Sequence, residues 1–424
     1  MKLWIPILLT ITFVVAIAKA QEPPREWIDP DTGHRIVRLS DEPGSSTFYF
    51  HQNSYTASGD KLVFSTRSGL STYNFKTKQI EQIVEGRTGN VIVGRKTRKV
   101  FYLKGDSVYE TDIDTKATRE IVKDARLRSG SGFAVNADET LLGGSMVVGE
   151  VPAEFRPQAP SAPQPTPTPI PGAPVGQVPG RDNYPGKGDM MERRLAAKIP
   201  MSLYTVNIKT GEVKTFHPAT DWLNHVQFSP TDPTLMMFCH EGPWHKVDRI
   251  WTIRTDGNQL TKIHARTMDM EIAGHEFFGS DGKFIYYDLQ TPKSQVFWLA
   301  KYEIATGKLT KFSLTKHEWS VHYNVSHDGT FYTGDGGGPN SVAKGDNGQF
   351  MYLFRPDKDN KFVSEKLVNL AKHDYSLEPN GTLTPDDKWL VFRSNMFGPT
   401  HIYAVEIKKS ENAINTKTVP KVSQ

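Results

Sequence analysis

The chain has 424 residues, of which 37% are hydrophobic and 23% are charged, with 34 glycines and 28 prolines. This balance is typical of a globular protein with an ample core, and it excludes collagen, coiled coil and wholesale disorder. The formal net charge is only +4 and Lys and Arg form no concentrated run, so nucleic acid is not expected as a partner, whereas a basic pocket for a small acidic substrate is compatible with the charge.

Residues 1–20 have the pattern of a targeting segment. Lys2 is followed by an apolar run over 3–17 and by the tripeptide AKA at 18–20, which predicts a cleaved secretory signal and a periplasmic or secreted protein. An uncleaved anchor is the alternative, but the run is shorter than the ~20 residues that a bilayer span needs. No later stretch is apolar enough to span a membrane, and the single cysteine, Cys239, allows no disulfide within the chain.

One phrase recurs along the chain and consists of an apolar residue, a short Ser/Asp/Gly turn and an alternating strand. A second phrase, in which a strand runs through a polar turn into another strand, follows each copy. Alternation at period two around turn formers is typical of half-buried antiparallel strands, so each unit holds about four strands. The first phrase occurs seven times, at residues 55–67, 93–105, 135–145, 228–239, 278–288, 325–336 and 383–394.

Seven four-stranded units predict an all-β fold, a seven-bladed β-propeller, because radial packing hides sheet faces that one unit cannot bury alone. Segment 29–40 resembles the second half of a repeat, and we predict that it pairs with the C-terminal blade and closes the ring. Residues 21–424 would then form one propeller domain. Residues 151–189 carry 11 prolines, which predicts a disordered insertion within the third blade.

The innermost strand of each propeller blade runs along the central axis, so residues at one register converge at one mouth of the ring. The position three residues before the apolar residue of the first phrase defines such a register. Three histidines and two amides at this register predict a polar site, and the capping of strand ends by imidazoles is the alternative. The six residues are Gln52, Gly132, His225, His275, His322 and Asn380.

These side chains suit a metal site with an adjacent base. Histidine ligates divalent metals or accepts a proton near neutral pH, and amide or carboxylate oxygens complete a metal shell. Glu378 lies two residues before Asn380 and therefore on the same side of the strand. The pattern allows a metal held by His275, Glu378 and Asn380, with His225 opposite as a base. Among the other register residues, we expect substrate contacts from Gln52 and His322.

Two local clusters add candidates. The phrase CHEGPWHKVDRIW at 239–251 offers His240 as a catalytic residue and His245 as a substrate contact within a Gly/Pro turn. The phrase MERRLAAKIP at 191–200 offers basic side chains, and a guanidinium fork suits a carboxylate. A solvated helix face is the alternative for this second cluster. Its basic residues are Arg193 and Arg194 as catalytic candidates and Lys198 as a substrate contact.

ERRLAAKIP, FCHEGPWHKVDRIW, GHEFFGSDGKFIYYD and TPDDKWLVFRSN resemble oligogalacturonate lyases, which are seven-bladed propeller enzymes of pectin breakdown. The resemblance runs from about Trp27 to Ile407, without the proline-rich insertion. It implies a divalent metal, usually Mn²⁺, that binds the substrate carboxylate, a histidine base that removes the C5 proton, and an arginine that stabilises charge. Residue by residue, it implies that His275 is a metal ligand, His225 the base, and Arg194 or Arg193 the arginine.

The remaining ligands of that family are a glutamine and a His-x-His pair just before the last TPD turn. Here this place reads HDYSLEPNGTLTPD, with Tyr375 near the glutamine and with Glu378 and Asn380 in place of the paired histidines. The oxygen-rich set favours Mn²⁺, Mg²⁺ or Ca²⁺, and His322 or His373 is available as a replacement imidazole.

Two functions follow as expectations. The first is an exported, metal-dependent lyase that cleaves oligogalacturonides, which are acidic oligosaccharides, by β-elimination. The alternative is a non-catalytic envelope propeller that binds glycans or protein partners, which would form no unsaturated product and would be indifferent to chelators.

Overall fold

The computed structural model describes residues 22–130, 132–155, 189–337 and 349–409. These residues form seven antiparallel sheets that follow one another along the chain, each a separate blade. The predicted all-β propeller is therefore confirmed.

The first three blades precede and surround the proline-rich segment. Blade 1 contains β3 (Lys61–Ser65), β4 (Gly69–Asn74) and β5 (Ile80–Glu85). Blade 2 contains β6 (Gly89–Val93), β7 (Lys99–Lys104), β8 (Ser107–Asp112) and β9 (Thr118–Lys123). Blade 3 contains β10 (Phe133–Val135), β11 (Leu141–Val147), β12 (Met201–Asn207) and β13 (Val213–Ala219).

The next three blades are regular four-stranded meanders. Blade 4 contains β14 (Trp222–Phe228), β15 (Leu235–Glu241), β16 (Ile250–Arg254) and β17 (Thr261–Lys262). Blade 5 contains β18 (Ile272–Phe278), β19 (Phe284–Gln290), β20 (Phe297–Glu303) and β21 (Leu309–Leu314). Blade 6 contains β22 (Ser320–Val325), β23 (Tyr332–Gly336), β24 (Phe350–Pro356) and β25 (Phe362–Asn369).

Blade 7 joins the two ends of the described chain. The last strand that the structure describes, His401–Glu406, pairs with the N-terminal strand Arg35–Arg38. Ile36 lies opposite Val405 and Arg38 lies opposite Tyr403. The predicted closure of the ring by the N-terminal segment is thereby confirmed, and it removes the two open sheet edges that an unclosed ring would leave. The blade contains β26 (Thr382–Leu383), β27 (Trp389–Ser394), β28 (His401–Glu406), β2 (Arg35–Arg38) and β1 (Glu26–Ile28).

The core lies between neighbouring blades. Ala134 and Leu203 of blade 3, for example, pack against Val226, Phe238 and Ile253 of blade 4, and all five side chains are buried. Each strand contributes alternate residues to such an interface, which explains the period of two in the sequence. Burial of this apolar surface holds the blades together at roughly 25 cal/mol per Å².

Blade 1 has no regular innermost strand. Its place is taken by residues 46–55, which we call the axial segment and which contacts β3 through the isolated bridges Ser46–Ser65 and Tyr55–Leu62. Within it, the backbone N–H of Gln52 donates to the backbone carbonyl of Tyr49 at 2.8 Å. The backbone N–H of Tyr49 donates in turn to the side-chain Oε1 of Gln52 at 3.1 Å. This turn places aromatic side chains on the axis of the ring.

The predicted signal segment 1–20 and residues 156–188 of the predicted insertion lie outside the described residues. The described ends of the insertion are ordered into a 3-10 turn (Ala153–Phe155) and the start of helix α1 (Asp189–Ala197), between β11 and β12 of blade 3. Two other 3-10 turns span Ala125–Ser129 and Lys316–Glu318. Across the described ranges, no helix has the length and apolar character needed to cross a bilayer.

Candidate active site

The innermost strands of blades 4, 5 and 6 each contain a β-bulge at the same place. Their registers shift between residues 224 and 227, 274 and 277, and 321 and 324. The bulged residues His225, His275 and His322 have φ values of 47°, 49° and 47°. Non-glycine residues adopt this left-handed conformation at a cost of about 1–3 kcal/mol, and a bulge bends its strand and redirects the side chain. The repeated bulge turns all three imidazoles toward the axis.

The three imidazoles line one cavity of about 560 Å³ around the axis. Gln52, Gly132 and Glu378 line it as well, so five of the six residues at the predicted register converge here, and Glu378 joins them. A second cavity of about 150 Å³ lies further along the innermost strands, and Phe50, His51 and Gln52 of the axial segment line it. His51 and Gln52 line both cavities, so the axial segment lies between them.

His275 and His322 are oriented in the same way by buried carboxylates of the adjacent strand. Nδ1 of His275 lies 2.7 Å from Oδ1 of Asp288, and Nδ1 of His322 lies 2.9 Å from Oδ2 of Asp335. Because a carboxylate oxygen accepts hydrogen bonds, these contacts favour the proton on Nδ1 of each ring, and the lone pair of the neutral ring is then on Nε2. The two rings are 4.6 Å apart, centroid to centroid.

Nε2 of His322 and the Glu378 carboxylate form a pair of candidate metal ligands. They lie 3.7 Å apart, and Nε2 of His322 is buried without a hydrogen-bond partner among the described residues. Burial lowers the pKa of His322, but Asp335 outweighs this and raises it. Burial raises the pKa of Glu378, whereas His322 and His275 outweigh that effect and lower it, so the carboxylate is ionised. An imidazole nitrogen beside a carboxylate oxygen is a donor set suited to Mn²⁺.

His225 lies between two buried carboxylates. Its Nδ1 lies 3.1 Å from Oε1 of Glu276 and its Nε2 lies 3.7 Å from Oε2 of Glu241. Burial raises the pKa of Glu276, but His225 and Arg249 overcome this and lower it to about 2. Both ring nitrogens of His225 therefore face negative charge.

A second group of possible metal ligands surrounds His225. Ligand atoms of His225, Cys239 and Glu241 all lie within 4.8 Å of one another. Burial raises the pKa of the Cys239 thiol well above its usual range, which keeps it protonated. Nη1 of Arg249 lies 3.2 Å from Oε1 of Glu241, so a protein cation already neutralises this carboxylate. These facts make the Glu378 side of the cavity the better position for a metal.

Arg249 is a buried cation of the cavity. Its side chain is 1% exposed, and its guanidinium carbon lies 4.4 Å from the ring centroid of Trp244. Burial disfavours its charge, but Cys239, Glu241 and Glu276 outweigh this and raise its pKa further. Its Nε and Nη2 atoms have no hydrogen-bond partner within the part of the chain that the structure describes. Since Arg249 lines the cavity, these donors are available to an anionic ligand.

The axial segment contributes two polar rings to the same cavity. The Tyr49 ring lies 5.4 Å from that of His225 and 5.5 Å from that of His322, and His51 lies 5.9 Å from His225. Burial, reinforced by Glu378, raises the pKa of Tyr49 well above its usual range. Burial, reinforced by His225, lowers the pKa of His51 to about 3. Both side chains are therefore uncharged at neutral pH.

The basic residues predicted from α1 and its C-terminal end do not line the cavity. The Arg194 guanidinium lies 4.4 Å from the Trp222 ring centroid, and that of Arg193 lies 6.0 Å from the Phe155 ring centroid. Lys198 is exposed. The helix reaches the cavity through Met191, which packs in an apolar cluster with Trp244. Burial of the apolar face fixes the orientation of the helix and directs its arginines elsewhere.

Three other predicted site residues also lie off the cavity lining. His240 has its Nδ1 3.5 Å from Asp221 and its ring stacked on Trp251. The His245 carbonyl accepts a hydrogen bond from Arg266. The Asn380 oxygen accepts the Phe50 N–H at 3.4 Å, so its side chain ties the axial segment to blade 7.

Several of the cavity residues are not among those predicted from the sequence, but one repeated spacing in the sequence points to two of them. Asp288 follows His275 by 13 positions, and Asp335 follows His322 by the same 13. In each case the histidine lies on the first strand of its blade, and the aspartate lies next to it on the second strand. Arg249 and Trp244 lie inside the CHEGPWHKVDRIW phrase, but nothing in its pattern separates them from His240 and His245.

Comparisons with known proteins agree with this architecture. A family profile described as oligogalacturonate lyase matches residues 193–411. An oligogalacturonate lyase of Dickeya dadantii is 25% identical over 410 residues, which cover 90% of this chain and 95% of that protein. An oligogalacturonide lyase of Pectobacterium atrosepticum is 28% identical over 225 residues, which cover 49% of this chain and 56% of that protein.

Two solved structures share the fold. An oligogalacturonate lyase in complex with manganese has a TM-score of 0.72 at 23% identity, over 92% of this chain and 96% of that chain. An oligogalacturonate lyase from Vibrio parahaemolyticus has a TM-score of 0.72 at 22% identity, over 91% of this chain and 96% of that chain.

Proposed function

The chain belongs to the oligogalacturonate lyase family, and from that premise we propose that it cleaves short oligogalacturonides by β-elimination in the axial cavity. One observation carries the proposal. Oriented imidazoles share one cavity with the Arg249 guanidinium, whose Nε and Nη2 atoms have no hydrogen-bond partner among the described residues, so a base and an anion-binding group are available to one bound uronate. Elimination from a uronate needs both, because C5–H is weakly acidic until the adjacent carboxylate is neutralised.

The metal in this proposal is a divalent cation, Mn²⁺ by analogy with the solved relative, with Mg²⁺ or Ca²⁺ as alternatives. His322 and Glu378 would hold it, because the buried Nε2 of His322 lacks a partner among the described residues and faces an ionised carboxylate. When bound, such a cation acts as a Lewis acid that neutralises the uronate carboxylate. Asp335 fixes the ring of His322 for this role.

Arg249 would bind the substrate carboxylate from the other side. Its Nε and Nη2 atoms, which have no hydrogen-bond partner in the described part of the chain, match the two oxygens of a carboxylate. Trp244 and Glu241 hold the group in place, so little side-chain entropy is lost when the substrate binds. The charge that develops on the substrate during proton removal is then stabilised by a preorganised cation.

We assign the base to His275. Its Nδ1–H is held by Asp288 and its Nε2 lone pair faces the cavity, which is the arrangement that a neutral imidazole base requires. This differs from the expectation from the sequence, in which His225 was the base and His275 a metal ligand. Both ring nitrogens of His225 lie beside carboxylates, Nδ1 at 3.1 Å from Glu276 and Nε2 at 3.7 Å from Glu241, whereas Nε2 of His275 has no such neighbour among the described residues. We therefore propose that His225 contacts and orients the substrate.

The test is a rate assay with digalacturonate and trigalacturonate that follows the ultraviolet absorbance of the unsaturated product, combined with metal analysis of the purified protein. We expect His275→Ala to abolish product formation with its metal content retained. His322→Ala should lose metal as well as activity. His327→Ala is the matched control, since this histidine is half exposed and pairs with Asp387 away from the proposed centre. A full rate in His275→Ala would refute the base assignment.

We also propose that residues 1–20 direct export and are removed. The support is the basic start, apolar run and AKA ending of this segment. Mass spectrometry of the protein from cell fractions tests the idea. A mature chain that begins near Gln21, outside the cytoplasm, is expected, and a full-length cytoplasmic chain would contradict it.

A further inference from the structure

Elimination needs a proton donor as well as a base. When the C5 proton leaves and the C4–O4 bond breaks, the departing sugar oxygen carries the bond's electron pair. A sugar alkoxide is a poor leaving group near neutral pH, so a donor at O4 lowers the barrier. The roles proposed above for His275, His322 and Arg249 supply no such proton.

Tyr49 is placed to supply it. The centroid of its ring lies 5.5 Å from that of His322, and the centroid of the His275 ring lies 4.6 Å from the same ring. Tyr49 and the proposed base therefore border the same histidine in the cavity lining. The turn between Tyr49 and Gln52 fixes the backbone of the axial segment at this point. The Tyr49 side chain lines the cavity, and its hydroxyl makes no hydrogen bond to another described residue.

The other candidate donors of the cavity are engaged or unsuited. The Tyr375 hydroxyl donates to the Gly336 carbonyl. His225 faces a carboxylate at each ring nitrogen. His51 is held neutral by its burial, and a neutral imidazole is a far weaker acid than a phenol. Tyr49 is thus the cavity hydroxyl with a proton to give.

We propose that Tyr49 is the general acid that protonates O4 of the leaving sugar, an inference that rests on the proposed lyase function. Nε2 of His275 takes the C5 proton, and the C5–H electrons form the C4–C5 double bond. The C4–O4 bond breaks with its electron pair on O4, which takes the phenolic proton and leaves as a hydroxyl. The imidazolium and phenolate that result exchange a proton through solvent water, which restores both groups.

The experiment compares two leaving groups in Tyr49→Phe and in the unchanged protein. Digalacturonate has a sugar oxygen at C4 that needs a proton. A methyl galacturonoside with fluorine in place of the C4 oxygen loses fluoride, which departs without a proton and is measured with a fluoride electrode. We expect kcat on digalacturonate to fall by about 10²–10⁴-fold, with KM and metal content retained, whereas fluoride release changes by less than about threefold.

Tyr109→Phe is the control, since this tyrosine lies in blade 2 and its hydroxyl donates to Glu120. An undiminished kcat of Tyr49→Phe on digalacturonate would overturn the proposal, and so would an equal loss on both substrates, which indicates a structural role. A loss restricted to digalacturonate in His225→Gln, with Tyr49→Phe unaffected, would assign the acid to His225 instead. If the unchanged protein forms no unsaturated product from digalacturonate, the lyase function itself fails, which is a separate outcome.

Discussion

Asp288 lies 2.7 Å from Nδ1 of His275, on the neighbouring strand of the same blade and 13 positions later in the chain. Asp335 bears the same relation to His322 in the next blade. One structural device is thus used twice, and in our proposal its first copy orients a base and its second copy orients a metal ligand. Substitution of each aspartate separates the two roles.

Asp288→Asn removes the carboxylate that fixes the tautomer of His275. An amide can donate to Nδ1 as readily as it accepts from it, so the lone pair is no longer held at Nε2. We expect kcat to fall by about 10²–10⁴-fold, measured as the initial rate of unsaturated product at saturating substrate, with bound metal unchanged. Asp256→Asn, in an exposed turn, is the control. A parallel loss of metal would assign His275 to the metal instead.

Asp335→Asn removes the carboxylate that orients His322, the proposed metal ligand. Loss of a carboxylate behind a metal-binding histidine typically costs 10–100-fold in metal affinity, so we expect manganese to bind that much more weakly in a titration of the metal-free protein. Excess manganese should restore most of the activity, which it cannot do for Asp288→Asn. Unchanged manganese affinity in Asp335→Asn would show that His322 does not hold the metal.

The fold was predictable because its signals are local and repeated. Period-two alternation around Ser/Asp/Gly turns occurs in every blade, and the unpaired half repeat at 29–40 required a partner at the other end of the ring. The shared register of His225, His275 and His322 was visible for the same reason, since one bulge recurs at one place in three blades.

The rest of the site depends on contacts that a sequence pattern does not encode. The run MERR suggested that arginines of α1 face the substrate, but the apolar Met191 takes that position because its burial is more favourable. Arg249 enters the cavity through a loop whose path is set by the packing of Trp244. Glu276 extends from blade 5 to His225 of blade 4, a pairing between blades that no local spacing reveals.

The stability of the protein should depend on pH through Glu276. Its pKa in the fold is about 2, below the value of about 4.3 for an unfolded glutamate. A lowered pKa stabilises the fold at pH above the unfolded value, and this contribution is lost as the pH falls from about 4.3 through about 2. We expect Glu276→Gln to be less stable at pH 7, by on the order of 2–3 kcal/mol.

The measurement is urea unfolding of Glu276→Gln and the unchanged protein at pH 7, 4 and 3. The difference in unfolding free energy should shrink at the acidic values. Glu85→Gln, at an exposed position of β5, is the matched control and should change stability by less than about 0.5 kcal/mol. A difference that is constant with pH would mean that the charge of Glu276 does not stabilise the fold.

Because the four-residue strand β2 closes the ring, we expect a core substitution in it to lower the stability of the protein strongly. Ile36 of β2 is fully buried, pairs with Val405 of β28, and packs with Leu353 and Tyr403 between blades 6 and 7. Ile36→Ala creates a cavity at the seam that joins the chain ends, so we expect a loss of about 2–5 kcal/mol in unfolding free energy. Chemical denaturation measures it, with Val363→Ala as the control because this residue is 63% exposed and should change stability by less than about 0.5 kcal/mol. An equally small effect of Ile36→Ala would show that the strand pairs with blade 7 without holding the ring closed.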